Sequence, residues 1–73
     1  MTTTFILDHA LVDPMTAIRP IINATSRPLW AGFRDIDEDR FLVEVFNPFE
    51  GEEIRAEDLA WATLVLSPWL FRE

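Results

Sequence analysis

The sequence predicts a small α+β domain, in which one antiparallel β-hairpin packs with helical segments that precede and follow it. Three observations point there. Residues 29–36 and 40–47 read as short strands joined by the acidic link Asp37-Glu38-Asp39. Asp13-Pro14 opens one stretch with apolar residues at helical spacing, and Glu57-Asp58 opens another that Pro68 closes. The chain has 73 residues, enough for a single domain over 1–73.

Near the N-terminus, Phe5, Ile6 and Leu7 make an apolar run suited to a short strand, interrupted by Asp8 and His9. Asp13 then suits a helix N-cap and Pro14 the first helical position. Met15, Ile18 and Ile22 recur at helical spacing with Ile21 beside them, so a helical segment is expected over about 14–22. Pro20 conflicts with it. Inside a helix, proline removes a hydrogen bond and clashes with the preceding turn, at a cost of about 3 kcal/mol. The expectation is a helix that ends near Arg19, or two turns with a break. Residues 23–28 read as a loop.

From Leu29 the period changes. Trp30, Ala31, Gly32, Phe33 and Ile36 form an aromatic strand-like run, in which Gly32 predicts a bulge or a close backbone approach. In the second strand Phe41, Val43 and Val45 share one face, while Arg40, Leu42, Glu44 and Phe46 share the other. The mixed face, with its two apolar groups, is either covered by the N-terminal segment or offered to a partner. Residues 47–52 (NPFEGE) form a turn-rich excursion.

The last third carries two signals. Acidic residues at Glu57 and Asp58 suit the first turn of a helix, and Leu59, Ala62, Thr63 and Leu66 keep helical spacing to about 56–66. A buried strand reads similarly, because Trp61 to Leu66 is apolar on every side and contains Thr63 and Val65. Helix is the preferred reading. Trp69, Leu70 and Phe71 must dock on their own domain or on another chain, since three large free apolar residues make a sticky patch.

Composition bounds function. Six arginines face thirteen carboxylates, for a net charge of −7. That disfavours direct nucleic-acid binding and docking on anionic membranes, both of which need a basic face. Cysteine is absent and His9 is the one histidine, so no disulfide, thiolate site or histidine-rich zinc site is expected, and no cofactor. Asp35, Asp37 and Asp39 have the spacing of a calcium loop, but the positions where that loop needs Gly and Glu hold Arg40 and Phe46. His9 near Asp8 and Asp13 is a histidine–carboxylate grouping without a cysteine, tyrosine or lysine, and Ser26 and Ser67 lie in proline-flanked stretches. No enzyme is expected. No export signal or membrane-spanning segment is seen, so the expected location is the cytoplasm, or the host cytoplasm if the chain is phage-encoded.

A chain this short buries only about 60% of its unfolded surface. With 49% hydrophobic residues and no cross-link, it is expected to self-associate, as a homodimer or larger homo-oligomer, or to hold a stable protein partner. The expected function is a non-catalytic protein-binding module, such as a small acidic inhibitor, adaptor or accessory subunit. Its acidic rim would be Glu50, Glu52, Glu53, Glu57 and Asp58, aimed at a basic surface. Its anchors would be Trp30, Phe46, Phe49, Trp69 and Phe71, since aromatic residues dominate binding hot spots. An acidic mimic of nucleic acid, blocking a DNA- or RNA-binding protein, is an alternative.

One local pattern is familiar. The strand RFLVEVF, a polar excursion and then Ile54-Arg55-Ala56-Glu57-Asp58-Leu59-Ala60-Trp61-Ala62 resemble the OB-like β-barrel domain of phage baseplate spike proteins. That family carries prolines where this chain has Arg55 and Ala60, and a glycine where it has Asp39. Over about residues 30–62 the resemblance implies a small all-β barrel, a strand around Trp61 and a role in structural assembly.

Overall fold

A computed structural model describes residues 2–72 of the chain. In order they form β1 (Thr2–Asp8), α1 (Pro14–Ile22), β2 (Trp30–Asp35), β3 (Arg40–Phe46), α2 (Ala56–Leu66) and a single 3₁₀ turn, Ser67–Trp69. The three strands make one antiparallel sheet in the order β1-β3-β2. The α+β class therefore stands, with the hairpin and both helical segments close to their expected bounds. The OB-like barrel alternative does not: the sheet is open, and Trp61 lies in a helix rather than a strand.

The central strand β3 explains the layering. Phe41, Val43 and Val45 are fully buried, while Arg40, Leu42, Glu44 and Phe46 between them are only partly covered. Strand alternation places these sets on opposite faces. The buried set joins Leu7 of β1, Ala31 of β2, the α1 residues Ala17, Ile18 and Ile21, and the α2 residues Ala62 and Leu66 in one core. Both helices thus pack on one face of the sheet. Burying each large side chain there contributes roughly 1.5–3 kcal/mol.

β1 is longer than its apolar run implies. It pairs with β3 without interruption from Thr2↔Phe46 to Asp8↔Arg40, so the three threonines are part of the ladder. The N-terminal segment lies beside β3 rather than over its mixed face.

α1 starts as its sequence predicts. Asp13 caps it, accepting from the Thr16 N–H at 3.2 Å and from the Thr16 hydroxyl. It does not stop at Arg19, however, and does not break. One helix runs through Pro20 to Ile22. Pro20 sits on the exposed side, and the turn beyond it carries the fully buried Ile21. Burial of that side chain offsets the missing backbone bond.

Gly32 also departs from expectation. Its strand pairs with β3 in unbroken register from Trp30↔Phe46 to Asp35↔Phe41, with no bulge. A methyl group built on Gly32 meets nothing within 4 Å, so no close backbone approach requires glycine there.

The C-terminal residues dock on their own domain. Leu70 bridges Leu7 on the outer edge of β1, and the Phe71 N–H donates to the Ile6 carbonyl at 2.9 Å. The Arg40 guanidinium lies 5.2 Å over the Phe71 ring. Among the described residues, no helix is long and apolar enough to cross a membrane.

Candidate protein-binding surface

The sheet face turned away from the helices is built in rows by the register. Thr2, Phe46 and Trp30 form one row; Thr4, Glu44 and Gly32 the next; Ile6, Leu42 and Arg34 the third. Trp30 and Phe46 are therefore cross-strand neighbours on the open face, and Trp30 is 47% exposed. Neighbouring aromatic and β-branched side chains stabilise sheet pairs by roughly 0.2–1 kcal/mol. Here the same pair also presents a broad apolar surface.

The acidic loop springs from that end of β3. Asn47 organises it: its side-chain oxygen accepts from the Phe49 N–H at 2.9 Å, and its amide nitrogen donates to the Glu53 carbonyl at 3.3 Å. The Glu52 N–H closes a turn onto the Phe49 carbonyl at 3.1 Å, with Gly51 at φ +79°. This fold of the loop leaves Phe49 64% exposed and Glu50, Glu52 and Glu53 in solvent. Trp30 and Phe46 thus lie at the end of the sheet from which the loop carrying Phe49, Glu50, Glu52 and Glu53 departs toward α2, and Glu53 reaches Thr3 on the helix side.

Four other predicted residues are not part of that group. Glu57 is exposed at the start of α2, 3.5 Å from Arg55. Asp58 was expected on the acidic rim but has no solvent exposure. It accepts from Arg55 Nε at 2.7 Å and from Arg27 Nη1 at 2.8 Å. Burial works against its charge, but the two arginines outweigh it and hold the carboxyl below the usual aspartate value. Asp58 clamps the loop before β2 to α2, and the Arg27 guanidinium also covers Trp61 at 4.7 Å. Adjacency in sequence placed Asp58 with its acidic neighbours; helical geometry turned it inward. Trp69 is half-buried and packs against the core, and Phe71 lies under Arg40 toward the hairpin-tip end of the sheet. Neither is a free anchor beside Trp30.

The remaining candidates have structural partners. Asp37 orders the hairpin tip, accepting from the Asp39 and Arg40 N–H groups at 2.8 and 3.1 Å and from Arg40 Nε at 3.0 Å. His9 meets Asp35 at 3.1 Å, with its ring 4.8 Å from that of Phe41. The Ser67 hydroxyl donates to the Leu64 carbonyl at 3.1 Å. Among the described residues, no group of three or more histidine, aspartate or glutamate side chains is placed to hold a metal ion. A cavity of about 90 Å³ lined by Thr3, Glu53, Ile54 and Leu59 is far smaller than a usual small-molecule site.

Sequence reading missed two exposed apolar residues of the edge strand. Ile36, just beyond β2, is 45% exposed, and Phe33 is 42% exposed but lies opposite Val43 on the helix side of the sheet, the face away from Trp30. The imperfect alternation of this run was the available signal: an edge strand with large apolar residues of both parities cannot cover them all. Comparison with protein-family models, with curated proteins and with solved structures returns no match.

Proposed function

We propose that this chain is a non-catalytic protein-binding module. Its contact surface is the aromatic end of the sheet, Trp30 and Phe46 with Phe49 of the adjoining loop, together with the loop's Glu50, Glu52 and Glu53. A cytoplasmic partner with a basic surface fits this reading. The observation that carries it is the cross-strand pair of exposed Trp30 and half-buried Phe46, at the end of the sheet from which an ordered acidic loop departs. Large aromatic rings provide desolvated anchors, and the carboxylates steer and select a cationic partner.

The test is affinity capture at two salt concentrations with three forms of the protein: unchanged, Trp30→Ala with Phe49→Ala, and Glu50→Gln with Glu52→Gln and Glu53→Gln. The aromatic variant should weaken binding by roughly 30-fold, the size of a hot-spot truncation of about 2 kcal/mol. The amide variant should bind weakly and lose its salt dependence. Equal capture by all three folded forms overturns the proposal.

A further inference from the structure

The two edges of the sheet are treated differently. On β1 the outward-facing Ile6 carbonyl is taken by Phe71, so the chain covers part of this edge with its own tail. On β2 nothing equivalent happens. The Ile36 N–H points to the Arg40 carbonyl, which sets the ladder phase: even-numbered residues of β2 bond to β3 and odd-numbered ones face away. The N–H and C=O groups of Phe33 and Asp35 therefore point outward, and no described residue hydrogen-bonds them. Ala31 shares the phase but is buried, so the accessible edge begins at Gly32. Natural edges are usually blunted by charges, prolines or bulges. This one carries Arg34 and Asp35 but has no proline or bulge, and Trp30, Phe33 and Ile36 are exposed along it.

The charges around it select the occupant. On the open face Gly32 has no side chain, and its cross-strand neighbour is Glu44. Glu44 reaches its nearest cation, Arg34, only at 4.0 Å, with both side chains well exposed. At the hairpin end of the edge stand the exposed carboxylates of Asp35, Asp37, Glu38 and Asp39. The chain as a whole carries a net charge of −7. Antiparallel addition of a second copy would bring the same negative charge, and the same hairpin carboxylates, to this edge. Like charges there disfavour self-pairing.

We propose that the free edge of β2 receives an extended, cationic segment of a partner protein as an added strand, with a lysine or arginine passing over Gly32 toward Glu44. Trp30, next on the same face, gives that cation an aromatic neighbour. Backbone bonds to Phe33 and Asp35 supply affinity and the Gly32 window supplies selectivity, as in other strand-addition complexes. This inference rests on the protein-binding reading and specifies the form of the partner.

The test uses the full chain and three synthetic peptides, TVRVRVT, TVQVQVT and TVEVEVT, with amide hydrogen exchange read by NMR. The arginine peptide should protect the Phe33 and Asp35 amides at least about tenfold, which reports new hydrogen bonds at those groups. The glutamine peptide should protect less and the glutamate peptide not at all. Gly32→Val, whose Cβ meets no neighbour within 4 Å, should reduce the protection by closing the window. Phe33→Pro, tolerated where an edge N–H faces outward, removes a donor to the added strand and should abolish protection at the remaining Asp35 amide. If Phe33→Pro does not fold, Gly32→Val and Glu44→Gln decide. Absence of protection at millimolar arginine peptide, or equal protection by the glutamate peptide, overturns the proposal. Protection that rises with concentration of the protein alone assigns the edge to a second copy and also overturns it. If capture of a partner needs Trp30 and Phe49 but is indifferent to Gly32→Val, Glu44→Gln and Phe33→Pro, binding stands and strand addition falls.

Discussion

Arg27 and Asp58, 31 positions apart in the chain, meet at 2.8 Å, and the same guanidinium covers Trp61 one helical turn further along α2. One loop residue thus holds the approach to β2 against the second helix. Removing the charge from Asp58 leaves two arginines without their shared anion, and an amide keeps only one of the two acceptor oxygens. Asp58→Asn should cost roughly 2–3 kcal/mol, below the full range for a buried pair because both arginines remain partly in solvent. The urea midpoint measures it. A change within about 0.5 kcal/mol, the usual range for surface substitutions, would show that the clamp is incidental.

Acid should unfold the protein through its aspartates. Thr16 holds Asp13 below the ordinary value of 3.8, and the Asp39 N–H does the same for Asp37, helped by Arg40. Asp58 is lowered as well: burial pushes it up, but Arg55 and Arg27 prevail. In each case the folded pKa lies below the unfolded one. The unfolded chain therefore binds more protons, and stability rises with pH across this interval. The contribution is complete above about pH 4 and is lost as pH falls through the folded values. Melting temperature followed from about pH 6 to about pH 2 should drop steeply below about pH 4. Asp58→Asn should flatten that drop, and an unchanged slope in the variant would remove Asp58 from the account.

Pro20 is a defect that the fold tolerates. Replacing it restores an N–H to the interior of α1 at an exposed position. Pro20→Ala should stabilise the protein by roughly 1–2 kcal/mol, the gain in the helix being reduced by the greater freedom of the unfolded chain. Far-ultraviolet circular dichroism should show no loss of helix. A destabilised variant would mean that Pro20 itself is needed to seat Ile21.

The two glycines should respond oppositely. Gly51 holds φ at +79°, where a side chain is strained, so Gly51→Ala should cost about 1 kcal/mol. Gly32 has ordinary strand geometry and open space, so Gly32→Ala should be neutral or stabilising by about 0.5 kcal/mol. Paired thermal melts check the contrast. Equal effects would contradict the backbone description of one turn or the other.

Local signals made much of this fold legible. Alternation at Phe41, Val43 and Val45, the Asp13-Pro14 start and the Glu57-Asp58 start each depend on neighbours a few residues away. What escaped was long-range. The role of β1 depends on pairing Thr2 with Phe46, which no local pattern encodes. The fate of Asp58 depends on an arginine in a distant loop. Passage of the helix through Pro20 depends on what Ile21 finds to bury against. For the candidate surface, residue types pointed to Trp30, Phe46, Phe49 and the loop glutamates. The pairing of Trp30 with Phe46 follows from strand order, while the places of the loop glutamates and of Trp69 and Phe71 depend on loop and C-terminal contacts distant in sequence.

The order β1-β3-β2 also dictates a sequence of events in time. β2 and β3 are joined by a tight turn and can zip together within microseconds. β1 must wait, because Asp8 meets Arg40 only after the whole intervening span has been brought round, an entropic cost that local pairing escapes. During synthesis Phe5, Ile6 and Leu7 emerge early and their partners emerge late. The first strand made is thus the last satisfied, and until then it is the segment through which a nascent chain would aggregate or seek a chaperone.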